Sequence, residues 1–264
     1  MTQKRSEDLQ MASGFPVELY EVIRVIRKVP LFLEEHLNRL YQSARLADVH
    51  HLPGPVALEE QVTEFLRNSE TTEGNIRLSI TFRSDEDTPE PVMVFIQHRY
   101  PEEHEYDEGV RLRTLMAQRE LPNAKIYRPV LRQRTDEIIA GGKYYEVLLV
   151  NHEGCITEGS RSNVFFVKGN RLYTPPTQQV LPGITRKVIF RLCIENDILI
   201  SEEPIKMVDL DTFDAVFISG TSVKVLPVSH IDENHFDSQN LIVRKIGRLY
   251  DEQIDAYIRN KILP

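Results

Sequence analysis

The chain has 264 residues, 41% of them hydrophobic and 27% charged, with a formal net charge of −8. That suffices for one large domain or two modest ones with an ordinary core. Acids and bases are interspersed, so no nucleic-acid or anionic-membrane partner is expected, and no apolar run approaches the ~18 residues of a membrane span. The polar start Met1-Thr2-Gln3-Lys4-Arg5-Ser6-Glu7-Asp8 has no apolar core and does not read as a signal peptide, so a cytoplasmic, soluble protein is expected. Cys155 and Cys193 read as two reduced, partly buried thiols.

Residues 1–14 read as a loose polar lead. Leu19 to Ile26 alternates and is β-branched, the pattern of a strand. Leu33, Leu37, Leu40, Ala44 and Ala47 recur at helical spacing, and Ala57 to Leu66 predicts a second helix. Strands follow at 75–82 and 91–97 across the acidic turn Ser84-Asp85-Glu86-Asp87, then an acidic connection over 101–108 and a strand at 110–114. Leu121-Pro122-Asn123 breaks the pattern and marks the expected boundary between domains at 1–120 and 121–264. The second half predicts a helix over 129–140 ended by Gly141-Gly142, a strand at 145–150, and a hairpin turn Asn151-His152-Glu153-Gly154 into 155–158. Strands at 162–167 and 172–174, a helix at 184–195, a strand at 215–219 and a long terminal helix over 241–258 complete the reading. Strands and helices mix without a strict βαβ rhythm, and there is no internal repeat.

Several residues could carry chemistry, each with a plainer alternative. Lys125 begins an apolar element, where lost solvation lowers an amine's pKa and suits imine formation; otherwise it is a surface lysine. Glu158 precedes a Gly-Ser segment and could pair with a pyridine nitrogen, or cap a turn. Gly183-Ile184-Thr185 opens a helix, whose free amides suit a phosphate, or is simply a Pro-Gly turn. Ser219-Gly220-Thr221-Ser222 ends a strand as a second anion nest or an ordinary turn. Arg39 flanks the apolar seam of its helix and could reach an anion, or lie in solvent. No G-x-G-x-x-G fingerprint, metal-ligand spacing or seryl nucleophile motif is present.

Five motifs in order are similar to those of the class IV aminotransferases, the pyridoxal-phosphate fold type that includes D-amino-acid transaminase, branched-chain aminotransferase and aminodeoxychorismate lyase. They are Tyr20-Glu21-x-x-Arg24; His36-x-x-Arg39-Leu40; Glu158-Gly159-x-x-Ser162-Asn163-x-Phe165; Leu181-Pro182-Gly183-Ile184-Thr185-Arg186; and Ser219-Gly220-Thr221 with Pro227-Val228. The resemblance runs from about Leu19 onward. It implies a mixed α/β fold of two domains with the cofactor between them, acting as a homodimer on small amino acids and 2-oxo acids. It implies that Lys125, 33 residues before Glu158, is the Schiff-base lysine, and that Glu158 pairs with the ring nitrogen. Arg39, Ile184, Thr185 and Thr221 would hold the phosphate of pyridoxal 5'-phosphate, Leu181 would pack under its ring, and Asn163 would also contact it. Tyr20 would line the substrate pocket together with Ser222.

The chain departs from the family pattern in three places. The usual first hairpin before Tyr20 is missing. After Lys125 it reads Ile126-Tyr127-Arg128, leaving Tyr127 as the candidate partner of the cofactor's phenolic oxygen. The Arg-x-His carboxylate trap of D-amino-acid transaminases has no match in Arg83-Ser84-Asp85-Glu86, so Arg24, Arg77 and Arg83 are the candidate cations for a substrate carboxylate. The motifs around Tyr20, Arg39 and Glu158 look most like D-amino-acid transaminase. The same-fold alternatives are an L-branched-chain transaminase and aminodeoxychorismate lyase; a non-catalytic scaffold is the alternative from another class.

Overall fold

A computed structural model describes residues 15–84 and 86–262; the expected polar lead over 1–14, and Asp85 of the acidic turn, lie outside them. The first sheet has four strands in the order β2-β1-β3-β4, formed by β1 (Val17–Ile26), β2 (Val29–Pro30), β3 (Gly74–Phe82) and β4 (Val92–Ile96). Helices α1 (Leu33–Leu46) and α2 (Pro55–Asn68) connect β2 to β3. Period-2 alternation puts Leu19, Ile23 and Val25 on one face of β1, where they meet Leu37 and Leu40 of α1, Leu58 and Val62 of α2, and Ile76, Leu78 and Ile80 of β3.

The second sheet has ten strands. Along its path run β10 (Leu199–Glu202), β9 (Arg171–Thr174), β8 (Asn163–Lys168), β12 (Ala215–Gly220), β13 (Lys224–Ile231), β5 (Val110–Met116), β6 (Glu146–Val150), β7 (Cys155–Gly159) and β11 (Ile205–Lys206), with β14 (Asn234–His235) paired to β13. Adjacent residues of β8 serve opposite faces: Phe165 packs with Phe217 under α5 (Ile184–Glu195) and α6 (Leu241–Ile262), while Phe166 joins Leu148, Ile156 and Leu226 on the other side. Both faces are covered, so β8 is buried over Asn163–Val167 and reads as a continuous apolar run.

The expected acidic connection over 101–108 contains a short helix, α3 (Glu103–Glu108). The acids that suggested a loop build a capping box instead: the Glu105 carboxylate accepts the Glu102 amide at 3.0 Å and also an Arg99 N–H at 2.6 Å. β13 had no forecast, because Pro227 interrupts its pattern; it is a central strand, paired with β12 and, past an irregularity between Val228 and His230, with β5. The terminal helix runs one turn past its expected end, to Ile262. The expected 120/121 boundary leaves β5 on the N-terminal side, whereas β5 pairs with β13 and β6 of the second sheet, so the division between sheets falls between β4 and β5. The remaining helix, α4 (Pro129–Ala140), lies over 129–140 as the sequence predicts.

One position on the buried face of β1 is charged. Glu21 is fully buried and receives Arg39 Nε at 2.8 Å, Arg39 Nη2 at 2.5 Å and His36 Nδ1 at 2.7 Å. Burial alone would raise this carboxyl, but Arg39 and then His36 outweigh it and hold Glu21 down at about 2. Burial lowers the His36 pKa against the pull of Glu21. Removing one partner of a buried pair strands the other: Glu21→Gln should cost about 3–5 kcal/mol in urea unfolding at neutral pH. Glu21 is depressed in the folded state, so its contribution is complete above 4.5 and is lost as pH falls toward about 2; the gap between wild type and variant should close across that interval.

Candidate active site

Lys125 sits where the two sheets meet. Its segment pairs with the edge of β1: the Tyr20 amide donates to Lys125 O at 3.2 Å, the Tyr127 amide donates to Glu18 O at 2.9 Å, and Leu19 bridges Ile126. The Lys125 amide donates to Ser43 Oγ of α1 at 3.0 Å. With its backbone tied at three places, the side chain enters a pocket also lined by Tyr20, Glu158 and Leu181, and its Nζ lies 4.8 Å from the Tyr20 ring centre. Desolvation lowers the Lys125 pKa, and Arg39 and Arg119 push the same way, which favours the free, nucleophilic amine.

Glu158 closes β7 and is 2% exposed. Its Oε2 accepts the Leu181 amide at 2.9 Å and its Oε1 accepts Arg119 Nη1 at 3.2 Å. Burial raises this carboxyl against the pull of Arg119 and the Leu181 amide. Arg119 was not among the sequence candidates. It stands between Gln118 and Glu120 in a stretch without periodicity, so nothing local marks it; only the fold brings it to Glu158. Asn123 Nδ2 holds the opposing loop through Thr177 O at 2.6 Å and Val180 O at 2.7 Å, and Asn163 Nδ2 binds Leu181 O at 3.0 Å. Gly183 is required here, since a Cβ would stand 2.0 Å from Asn163 Oδ1.

At the other end, α5 begins at Ile184 with Gly183 as its N-cap and no side-chain cap. The amides of its first turn face the pocket with the positive end of the helix dipole. Thr185 Oγ1 contacts Tyr250 at 3.2 Å, and Ser219 Oγ is buried without a hydrogen-bond partner at the end of β12, beside Gly220 and Thr221. Arg39 lines the same end, and its Nη1 reaches Pro182 O at 3.2 Å. An uncapped helix start, an unpartnered buried hydroxyl and a guanidinium fit a phosphate. The amine and carboxyl deeper in the pocket fit the aldehyde and ring nitrogen of pyridoxal phosphate.

The structure brings Tyr20, Arg39, Lys125, Tyr127, Glu158, Asn163, Leu181, Ile184, Thr185 and Thr221 to one pocket. It places the other sequence candidates elsewhere. Arg77 stacks over Tyr20 and Tyr127 but bonds Glu18 at 2.6 Å. Arg24 stacks on Tyr100 at 3.8 Å and lines a separate small cavity behind Thr185 and Thr221. Arg83 is exposed in the β3–β4 turn, and Ser222 accepts a hydrogen bond from Asn75 at 2.7 Å. The pocket's further cations are Arg128, Arg132 and Arg161. Arg128 and Arg132 are four apart at the start of a helix the sequence predicts, a spacing that could have shown them sharing a face. Glu146, also overlooked, is a lone carboxylate opening an apolar strand; it accepts the Arg161 amide at 2.5 Å and shapes the turn after Glu158.

An amine with a lowered pKa and a buried carboxyl, facing an anion cradle across one pocket, define a pyridoxal-phosphate site of the aminotransferase kind. Comparison with known proteins agrees: the family Amino-transferase class IV matches residues 18–231. D-alanine aminotransferase from Bacillus licheniformis is 30% identical over 229 residues, covering 81% of this chain and 78% of the relative. A putative branched-chain-amino-acid aminotransferase from Methanocaldococcus jannaschii is 33% identical over 232 residues, with the same shares. The branched-chain amino acid aminotransferase of Escherichia coli superposes with a TM-score of 0.79 at 25% identity, covering 90% of this chain and 86% of that one. A putative 4-amino-4-deoxychorismate lyase from Legionella pneumophila shares the fold, with a TM-score of 0.81 at 21% identity, covering 89% and 90%. The chain belongs to the class IV aminotransferases, a pyridoxal-phosphate-dependent enzyme family. Among the described residues, no helix is long and apolar enough to cross a membrane.

Tyr20 is the group whose titration reports this field. Burial raises its phenol, but Lys125, Arg132 and Arg119 outweigh that and bring it down to about 8. Ultraviolet titration should show a tyrosinate signal near pH 8 that is absent from Tyr20→Phe; identical curves would mean those cations do not act on the phenol.

Proposed function

We propose that the chain moves an amino group between an amino acid, a D-amino acid such as D-alanine or D-glutamate being favoured, and a 2-oxo acid, working as a homodimer. The observation that carries the substrate side of this reading is the charged wall of the pocket. Arg128, Arg132 and Arg161 line it, and a branched aliphatic side chain set against them would strip water from guanidiniums and give nothing back. The preference for the D series is supported by the Bacillus licheniformis relative and by the motifs around Tyr20, Arg39 and Glu158. The homodimer is supported by Val92 and Val94, exposed on edge strand β4, which a second chain would cover.

Bound pyridoxal phosphate supplies the sink for the electrons released at the substrate's α-carbon. Ile184, Thr185, Ser219, Thr221 and Arg39 would hold its phosphate, and Leu181 and Asn163 would position its ring. Tyr127 would face the phenolic oxygen. Glu158, whose carboxylate Arg119 and the Leu181 amide support, would pair with the ring nitrogen and favour a proton there. Lys125 Nζ would hold the cofactor at its aldehyde end and, as general base and acid, would move the substrate's α-proton. Tyr20, above that amine, screens it from solvent. An L-branched-chain transaminase is the second reading, favoured by the Methanocaldococcus jannaschii relative. A non-catalytic scaffold would need neither the amine of Lys125 nor the buried carboxyl of Glu158.

The test is the visible absorption of the holoenzyme mixed in turn with D-alanine, D-glutamate, L-leucine and L-glutamate. Loss of the cofactor band with the D series alone is expected. Loss with the L series alone would transfer the chain to the branched-chain reading. Lys125→Ala should lower turnover by about 10²–10⁴-fold or more, since the general acid–base group goes with it; near-wild-type turnover would remove Lys125 from the chemistry.

A further inference from the structure

The cations of the pocket are not equally committed. Arg39 is held by Glu21, Arg119 by Glu158, and Arg161 by Asp136 of α4. Arg128 has only Glu120, at 3.9 Å and largely exposed to water, and its Nε is buried without a hydrogen-bond partner. Arg132 makes no ion pair with an acid among the described residues; the group beside it is the Tyr20 phenol. The Arg132 amide donates to Arg128 O at 2.9 Å, so the two are one turn apart at the head of α4. Both line the pocket, with Thr135 one turn further along. The phosphate cradle lies elsewhere, at the head of α5 and the end of β12. One guanidinium with only a distant, exposed acid and one with no acid among the described residues therefore stand side by side in the pocket wall.

Leaving a half-buried cation weakly paired or unpaired is costly; placing two such cations side by side adds their mutual repulsion. That cost is removed when an anionic ligand arrives, and planar guanidiniums match carboxylates in bidentate geometry. Resting on the transaminase reading above, we propose that Arg128 and Arg132 form a carboxylate clamp, and that the chain's preferred amino and 2-oxo acids carry two carboxylates. Asp136, at the next position of the same helical face, pairs with Arg161, so that third cation already has its counter-charge. The clamp assigns to the head of α4 the role the sequence had offered to Arg24, Arg77 and Arg83.

The experiment uses the holoenzyme and two unreactive acids, glutarate with two carboxylates and butyrate with one, titrated by calorimetry. Glutarate should bind about 30-fold or more tighter than butyrate, and Arg128→Gln or Arg132→Gln should each erase most of that ratio, with Arg132→Lys restoring part of it. A second readout needs no variant: glutarate in the clamp neutralises the charge beside Tyr20, so the tyrosinate titration of the wild type should move to higher pH with glutarate and less with butyrate. Equal binding of the two acids, or a ratio that survives in both glutamine variants, overturns the clamp. The transaminase reading fails separately, if no amino acid discharges the cofactor band while glutarate still binds.

Discussion

The joint between Glu21 and Arg39 is the interaction on which the site depends. A carboxylate on the core-facing register of β1 would be intolerable alone, and a guanidinium on the core-facing side of α1 equally so. Together they satisfy each other with two N–H bonds, His36 supplying a third donor. The pair locks α1 onto the small sheet and leaves Arg39 Nη1 free to reach Pro182 O in the loop that leads into α5. One side chain thus belongs to the core of the first sheet and to the mouth of the second. Ser43, one turn further along α1, holds the Lys125 amide, so the same helix sets the position of the reactive amine.

The pocket is a problem in distributing positive charge. Six cationic side chains line it beside one carboxylate, Glu158, and the fold sorts them by partner. Arg39 and Arg119 are held by buried acids and Arg161 by Asp136, while Arg128 has only a distant exposed acid and Arg132 none among the described residues. Lys125 answers the same field with a lowered pKa, since desolvation and two neighbouring guanidiniums all disfavour its charge. The Tyr20 phenol is lowered by the same crowd. One electrostatic environment thus lowers the pKa of an amine and of a phenol side by side.

Much of the architecture was legible because burial patterns repeat. The alternation of β1, the seams of α1 and α2 and the apolar run of β8 needed no more than their periods. The stretch over 101–108 misled because its acids serve a capping box, a local pairing that composition alone does not reveal. β13 went unseen because Pro227 argues against a strand wherever every N–H must be paired, and only its neighbours β12 and β5 show how the sheet accommodates it.

Residue chemistry that depends on local backbone was readable from the chain: a glycine-led helix start, a hydroxyl nest after a strand, a lysine entering an apolar segment. Such features are set by near neighbours, and motif order tied them to one family. The partners of charges were not readable, because a guanidinium reaches across folds rather than along the chain. Arg119 meets Glu158 from 39 positions away, and Arg39 meets Pro182 from 143. Arg24, Arg77 and Arg83 looked free in one dimension and are stacked, paired or remote in three; Arg128 and Arg132 drew no notice in the chain and line the pocket, the first with only a distant exposed acid and the second with none among the described residues. Which charges remain for a substrate is what is left after every buried acid has found its base, and only the packed molecule makes those pairings.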